Sequence, residues 1–523
     1  MLPYITLWSE REIRMFAVSV NETRFEYDVN SLVKAFYPEE SVKVITPDMG
    51  EEKKAGLYDK VRLVIELAAD GATLQFIKTE STSVSYAAVS DTAASGTNTE
   101  VDKVYIWQAD AGSREDEDFK AYKAGFKRFL YSSLSDYTGK ILPWGNLTGI
   151  RPTKIAMGLL KEGKGEEEIC RFMQEEHFVS EEKAKLSAEI AKREAELLSK
   201  VHFKDGYSLY IGIPFCPTTC LYCSFTSFPV RLYQKQVEAY LDCLIREMQA
   251  VKDIMGEQIL DSVYIGGGTP TTLEAEQLHR LLTALKEIFD FSTVQEFTVE
   301  AGRADSITRE KLEVLRAHGV DRISINPQTM KEETLHLIGR QATPAQVREA
   351  FLLAREVGDF NINMDIILGL PDESAEDVYR TIEEIKELAP DSLTVHSLAI
   401  KRASKLNKWI LENGVETLRN TDETMAIAAK GAAALSMHPY YLYRQKNMSG
   451  NFENVGYAKE GNYGLYNILI MEEVQTIVAC GAGSISKRVY PDGRIERCEN
   501  VKDVALYIDK IDEMIERKKG SFG

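Results

Sequence analysis

The sequence predicts an α/β protein: a partial (β/α)6 barrel, preceded by an α+β N-terminal domain and followed by a small C-terminal domain. Three observations carry that expectation. From Tyr207 onward, apolar runs alternate with helix-length amphipathic segments about six times, the rhythm of a parallel sheet with helices outside it. Ahead of that stretch, β-like runs come first and helical patterns second, the order of an α+β unit. The length, 523 residues, suggests about three domains.

Residues 1–205 are the first expected domain. Its strands are MFAVSV, VKVIT, VRLVIELA and ATLQFIK, several of them alternating or rich in β-branched residues. The tract SDTAASGTNTE (90–100) has few large hydrophobics and reads as an exposed loop or hairpin tip. From Glu115 to Tyr137, Phe119, Tyr122, Phe126, Phe129 and Tyr131 recur near helical spacing. WGNLTGIRPTKI (144–155) holds too much glycine and proline for a regular element. A helix at 180–200 opens on Ser180, a capping residue, followed three residues later by Lys183 rather than the usual Glu.

Residues 206–400 are the barrel, with strands at 208–214, 261–267, 296–302, 322–328, 362–371 and 392–398. Amphipathic helices at 231–255, 274–289, 308–318, 344–357 and 374–388 separate them. In such folds the chemistry gathers where strands end and loops begin. Residues 401–523 hold helices and a glycine-rich segment, the third unit.

Composition excludes several classes of function. With 44% hydrophobic and 28% charged residues the chain is an ordinary globular protein, and its net charge of -18 argues against gripping nucleic acid or anionic lipid. No apolar run is long enough to span a bilayer, and the start lacks a signal peptide's basic-then-apolar order, so a cytoplasmic protein is expected.

Seven cysteines are too few for a disulfide scaffold, yet Cys216, Cys220 and Cys223 fall within eight residues, directly after a strand. Zinc sites normally take four protein ligands, and no histidine is nearby. Three close thiolates suit three irons of a [4Fe–4S] cube whose fourth iron stays open. Structural zinc with a distant fourth ligand, or three core cysteines together by chance, remain as alternatives.

CxxxCxxC after the first strand of a βα barrel resembles the radical S-adenosylmethionine (radical SAM) enzymes. LYIGIPFCPTTCLYCSF, IGGGTPT, VEAG, RISINPQT and MDIILGLP are similar to the oxygen-independent coproporphyrinogen III oxidase family. WGNLTGIRPTK, EAGRADSIT and NFENVGYAKEGNYGLYNILIMEEVQTI resemble its long-N-terminus branch, coproporphyrinogen dehydrogenase or oxidase 2. The resemblance implies Cys216, Cys220 and Cys223 as cluster ligands, and SAM chelated to the open iron, cleaved by one electron to a 5′-deoxyadenosyl radical. It assigns SAM contacts to Tyr210, Tyr222, Gly267, Gly268, Thr269, Glu300, Gln328, Arg340 and Asp365. A second SAM would lie near Ile485, in the glycine-rich ACGAGSIS (479–486), with only Asn467 spaced as a matching amide.

The residues add reasons of their own. Gly266-Gly267-Gly268 alone is more often a turn than a site, but one βα unit after the cysteines it lets backbone carbonyls approach a cationic amine. Glu300, Gln328 and Asp365 at consecutive strand ends converge on one mouth. Two departures stand out: Gly212 where many relatives have histidine, and Phe225 where the oxidase has a further cysteine. Tyr222 replaces the usual phenylalanine, where a backbone contact is implied. Cys480 reads as a packed thiol.

The implied substrate is a tetrapyrrole. Arg303 and the run Arg444-Gln445-Lys446 are candidate partners for its propionates. The implied electron donor is a small carrier such as flavodoxin or ferredoxin. The implied reaction is oxidative decarboxylation of two propionates of coproporphyrinogen III to protoporphyrinogen IX, in haem biosynthesis. Alternatives are a haem-binding chaperone, or another radical SAM reaction on a tetrapyrrole such as ring opening or methyl transfer. The chaperones carry His-Asn-x-x-Tyr-Trp where this chain has Tyr466-Asn467-Ile-Leu-Ile-Met.

Overall fold

A computed structural model of the protein describes residues 15–78, 101–109, 116–149, 151–401, 404–414, 417–445 and 452–523. The expected loop at 90–100 lies outside them. The chain divides into two compact units, Met1–Gly149 with Gly165–Lys185, and Ile150–Lys164 with Leu186–Gly523.

The first unit carries strands Met15–Val20 (β1), Ser41–Ile45 (β2), Val61–Ala68 (β3), Gly71–Ile77 (β4) and Val101–Gln108 (β5), in the order β2-β1-β3-β4-β5. β1 is parallel to β2 and β3, and the last two pairings are antiparallel. Helix Asp116–Thr138 buries Tyr122, Phe126, Leu130 and Leu134, a four-residue repeat that makes one apolar stripe, against Phe16, Val18 and Phe25. The Ser180 hydroxyl caps its helix by accepting from the Lys183 amide at 3.3 Å.

The second unit is built on Gly206–Ile213 (β6), two-residue strands Phe215–Cys216 (β7) and Phe228–Pro229 (β8), then Ile259–Gly267 (β9), Glu296–Glu300 (β10), Arg322–Ser324 (β11), Asn361–Leu368 (β12) and Ser392–Ser397 (β13). Strands β6 and β9 to β13 are parallel neighbours in chain order. The helices between them are Val237–Met255, Ala275–Ile288, Arg309–Ala317, Pro344–Val357 and Ala375–Leu388. Several start on polar caps: Thr308, Thr343 and Ser374 each accept a backbone N–H from the first turn.

Residues beyond 400 extend the same sheet at both edges. His438–Tyr443 (β14) and Asn454–Ala458 (β15) join antiparallel beside β13. Thr476–Cys480 (β16) lies parallel to β6 and is followed by Ile485–Val489 (β17) and Ile495–Glu499 (β18). β16 is thus a seventh parallel strand, supplied from the far end of the chain.

A buried ion pair locks that return. Glu247 and Lys518, both within 1% of fully covered, meet at 2.6 Å. Glu247 also accepts from the Gly481 amide at 2.7 Å, from Tyr507 at 2.6 Å and from Asn500 at 2.7 Å. Lys518→Met strands the carboxylate and is expected to cost about 3–5 kcal/mol in denaturant unfolding. The double variant Lys518→Met/Glu247→Gln is expected to recover part of it, because no buried charge is then left unpaired.

Candidate functional site

Side chains alternate across a strand, so each barrel strand presents two faces. One face reads Leu209, Ile211, Ile213, then Val263, Ile265, Phe297, Val299, Ile323, Ile362, Met364, Ile366, Leu393 and Val395, all buried. The other reads Ser208, Tyr210, Gly212, then Ser262, Tyr264, Gly266, Glu296, Thr298, Glu300, Arg322, Ser324, Asn361, Asn363, Asp365, Ser392, Thr394 and His396. Strands of a parallel sheet are usually apolar on both faces. Six consecutive strands with one polar face form a lining rather than a packed core.

At the start of the strands this lining is satisfied. Arg322 donates to Ser392 at 2.8 Å and to Asn361 at 3.0 Å, and Glu296 accepts from the Leu465 amide. At the strand ends it is not. The Gln328 Oε1 and Ser324 Oγ atoms are buried without a hydrogen-bond partner. Glu300 accepts from the Tyr264 hydroxyl at 2.6 Å, yet burial pushes its carboxyl up to about 7, with the Asp365 charge adding to the rise. A buried carboxyl in this state fits a cationic ligand.

The glycine run shapes the same place. Gly267 has φ +106, and a Cβ there would stand 3.1 Å from the Tyr210 hydroxyl. A Cβ on Gly266 would stand 3.0 Å from the Glu300 carboxyl carbon, and one on Gly268 would meet the Phe215 carbonyl at 2.5 Å. Parallel register sets Tyr210 opposite Tyr264, their rings stack, and Tyr466 stacks on Tyr264 with centroids 4.4 Å apart. Burial raises all three hydroxyls above the ordinary tyrosine range.

The cysteine loop leaves β6 and is closed at its base by the β7–β8 pairing. Cys216 Sγ lies 3.4 Å from the Thr269 hydroxyl and Cys223 Sγ 3.6 Å from that of Ser227. Burial pushes the Cys216 thiol up to about 11, against the pull of the Thr269 hydroxyl. Among the described residues no three His, Cys, Asp or Glu side chains gather as they would around one metal ion. In an iron–sulfur cube each thiolate holds a different iron.

Arg303 belongs to this loop. Its guanidinium holds Asp305 through Nε at 3.0 Å and Nη2 at 2.7 Å, donates to Thr218 Oγ1 at 3.1 Å and reaches Cys220 Sγ at 3.7 Å. It is only 3% exposed. The expectation that Arg303 offers its donors to a propionate is therefore corrected: they are spent on the loop. Arg303→Met is expected to destabilise the protein by about 3 kcal/mol, read as a lower urea midpoint. Arg303→Lys is expected to recover only part, having no fork to match Asp305.

Gln328 sits at φ +69, a left-handed conformation uncommon outside glycine, held by its amide to the Asp365 carbonyl and its carbonyl to the Ile367 amide, each at 2.9 Å. That twist turns its side chain out of the strand run. Asp365 accepts from Asn363 at 2.6 Å and faces His396 at 3.7 Å. Burial pushes its carboxyl up, but these partners outweigh it and leave it below the ordinary range. Arg340 donates to the carbonyls of Asn326 and Gly302 and, at 3.4 Å, to the Tyr222 hydroxyl. The tyrosine thus adds a side-chain contact that phenylalanine cannot make.

The remaining candidates scatter. Ile485 opens β17 and is 42% exposed. The preceding segment is tightly seated, since a Cβ on Gly483 would fall 2.6 Å from Thr226 and one on Gly481 2.5 Å from the Gly212 carbonyl. Gly212 makes room for the returning chain in turn, since a Cβ on it would stand 3.2 Å from the Cys480 carbonyl. Asn467 donates to Tyr440 at 3.0 Å. Arg444 is buried, and burial drops its guanidinium to about 10. Lys446 lies outside the described residues. Cys480 is fully buried. Sequence reasoning missed Tyr264, Ser324, Asn363 and His396, which the period-two polar pattern could have flagged. Arg151 of the WGNLTGIRPTK motif donates to the Met471 carbonyl and, at 2.9 Å, to Glu473, so it anchors the end of helix Leu465–Glu472 in the NILIMEE motif.

Residues 210–385 match the radical SAM superfamily. The oxygen-independent coproporphyrinogen-III oxidase-like protein HemZ of Bacillus subtilis is 40% identical over 409 residues, covering 77% of this chain and 82% of that protein. The heme chaperone HemW of the same organism is 30% identical over 307 residues, 58% of this chain and 76% of the relative. The oxygen-independent coproporphyrinogen III oxidase of Salmonella typhimurium is 33% identical over 192 residues, 37% of this chain and 42% of the relative. Among solved structures, coproporphyrinogen III oxidase from Escherichia coli matches with a TM-score of 0.47 and 23% identity over 61% of this chain and 73% of that one. Among the described residues no helix is long and apolar enough to cross a membrane.

Proposed function

The chain belongs to the radical SAM superfamily and, within it, to the oxygen-independent coproporphyrinogen-III oxidase-like family, and from that premise we propose that it is a coproporphyrinogen dehydrogenase acting in haem biosynthesis in the cytoplasm. The reaction is the oxidative decarboxylation of two propionates of coproporphyrinogen III to vinyl groups, giving protoporphyrinogen IX. The observation that carries the reading is the strand-end layer beside the cysteine loop, where Gln328 Oε1 and Ser324 Oγ are buried without a hydrogen-bond partner and the buried Glu300 carboxyl has hydrogen-bond donors but, among the described residues, no cation beside it.

When bound, a [4Fe–4S] cluster and SAM supply the one-electron chemistry that removes a hydrogen atom from a propionate β-carbon. The chain's own groups do the rest. Cys216, Cys220 and Cys223 would each hold one iron, with Thr269, Ser227 and Arg303 orienting the sulfurs. Glu300 and Asp365 would meet the amine and ribose hydroxyls, and Gln328 and Arg340 would fix the other polar groups. The backbone of Gly267, Gly268 and Thr269 would close on the methionine end. Tyr210, Tyr264 and Tyr466 would form a wall that keeps water from the reacting carbon. One SAM suffices for this layer, and a second would lie toward Ile485.

The test is anaerobic turnover with SAM, a reductant and coproporphyrinogen III, followed by mass spectrometry. Two molecules of carbon dioxide per substrate are expected. The relatives named heme chaperones supply the second reading, which tight haem binding without product would favour. A methylated or linear tetrapyrrole would point to another radical SAM reaction.

A further inference from the structure

The cysteine loop also forms one wall of a recess of about 420 Å3, lined by Thr218 and Thr219 together with Arg231, His336, Arg340 and Lys405. Its ten lining residues include two arginines, a lysine and a histidine, and no carboxylate. The chain as a whole carries -18, so positive charge collected here runs against the molecule's average. Arg340 is buried and occupied with Asn326, Gly302 and Tyr222, but Arg231 and Lys405 are exposed, and among the described residues neither forms an ion pair. His336 has one acid nearby, Glu332 at 3.7 Å. Leu232 and Leu337, adjoining Arg231 and His336 in the chain, are 69% and 40% exposed. Exposed apolar side chains in the same segments as exposed basic ones are the composition of a transient interface.

We propose that this recess is the docking surface for a small acidic one-electron carrier protein of the flavodoxin type. The proposal rests on the radical SAM reading, since that chemistry needs an electron from outside. Thr218 and Thr219, which line the recess, lie in the chain between Cys216 and Cys220. A carrier seated there rests against the loop that bears the cysteines, and electron transfer weakens steeply with distance. The step moves one electron and no atoms: the reduced carrier is oxidised by one electron and the cluster goes from the 2+ to the 1+ state. Long-range attraction between the basic recess and an acidic carrier raises the encounter rate, in a manner that salt screens.

The experiment uses the reconstituted full chain and reduced flavodoxin as the probe. Stopped-flow bleaching of the cluster is followed with flavodoxin and, separately, with dithionite. Binding of oxidised flavodoxin is measured by calorimetry at low and high salt. Arg231→Glu/Lys405→Glu is expected to slow flavodoxin-driven bleaching and weaken binding by at least about tenfold, with dithionite-driven bleaching unchanged. The control Lys200→Glu/Lys204→Glu changes the same charge ahead of β6, at the strand end away from the cysteines, and is expected to behave as wild type. Equal flavodoxin rates in the recess variant and wild type, or an equal loss in the control, would overturn the docking site while leaving the family chemistry intact. Loss of dithionite bleaching in the recess variant would make these charges part of the loop's structure and overturn the docking role. A wild-type protein that neither reductant bleaches would remove the functional reading and this one with it.

Discussion

Cys220→Ala is expected to remain folded, with a melting temperature near that of the cluster-free wild type, and to lose both the visible absorbance of an iron–sulfur cluster and all SAM cleavage. A three-thiolate site has no spare ligand, so removing one leaves two irons of the cube without protein bonds. Cys220 is buried, and its sulfur receives a contact from Arg303 at 3.7 Å, so the alanine variant leaves a small void rather than a disrupted loop. The loop is independently pinned by Leu221 N–H to the Ile338 carbonyl at 2.9 Å and Thr218 Oγ1 to the Gly339 carbonyl at 2.8 Å. SAM cleavage is expected to fall below about a thousandth of wild type. Cys243→Ala, at a thiol buried in helix Val237–Met255, is expected to retain both signals.

Glu300→Gln is expected to weaken SAM binding by about 10- to 100-fold, the value of a hydrogen bond to a charged group. In the free protein burial lifts the Glu300 carboxyl from 4.5 to about 7, so near neutrality it is only part ionised. A cationic ligand requires the carboxylate. Wild-type affinity is therefore expected to fall as pH drops below about 7, approaching tenfold per pH unit, while the glutamine variant shows little dependence. Stability runs the other way. A carboxyl whose folded value is raised favours the fold below its ordinary range and loses that contribution as pH rises through about 7. The unliganded wild type is thus expected to lose melting temperature across that window relative to Glu300→Gln. Equilibrium dialysis and thermal melts from pH 5.5 to 8.5 read both effects.

Much of the barrel was legible in its residues because its signals are local. The helix expected at 344–357 is Pro344–Val357, since Thr343 and Gln346 make a reciprocal cap ahead of an amphipathic run. The strand expected at 322–328 stops at Ser324, because the chain swings out to place Gln328 in a left-handed turn that no propensity signals. The insertion of β16 beside β6 is not readable locally, since five residues of apolar strand fit many neighbours. Nor is the Glu247–Lys518 pair, whose partners stand 271 residues apart. Arg303 was misread for a related reason: an arginine in a turn looks solvent-facing until Asp305 and Thr218 fold around it. The cysteines and the polar strand ends were visible because spacing alone sets them apart.

Anaerobic reconstitution followed by metal analysis and electron paramagnetic resonance of the reduced protein, with and without SAM, tests the central claim most directly. Four irons and four sulfides per chain, with a reduced-cluster signal whose g-values change when SAM is added, are the predicted result. Stoichiometric zinc, or a cluster signal indifferent to SAM, would contradict it.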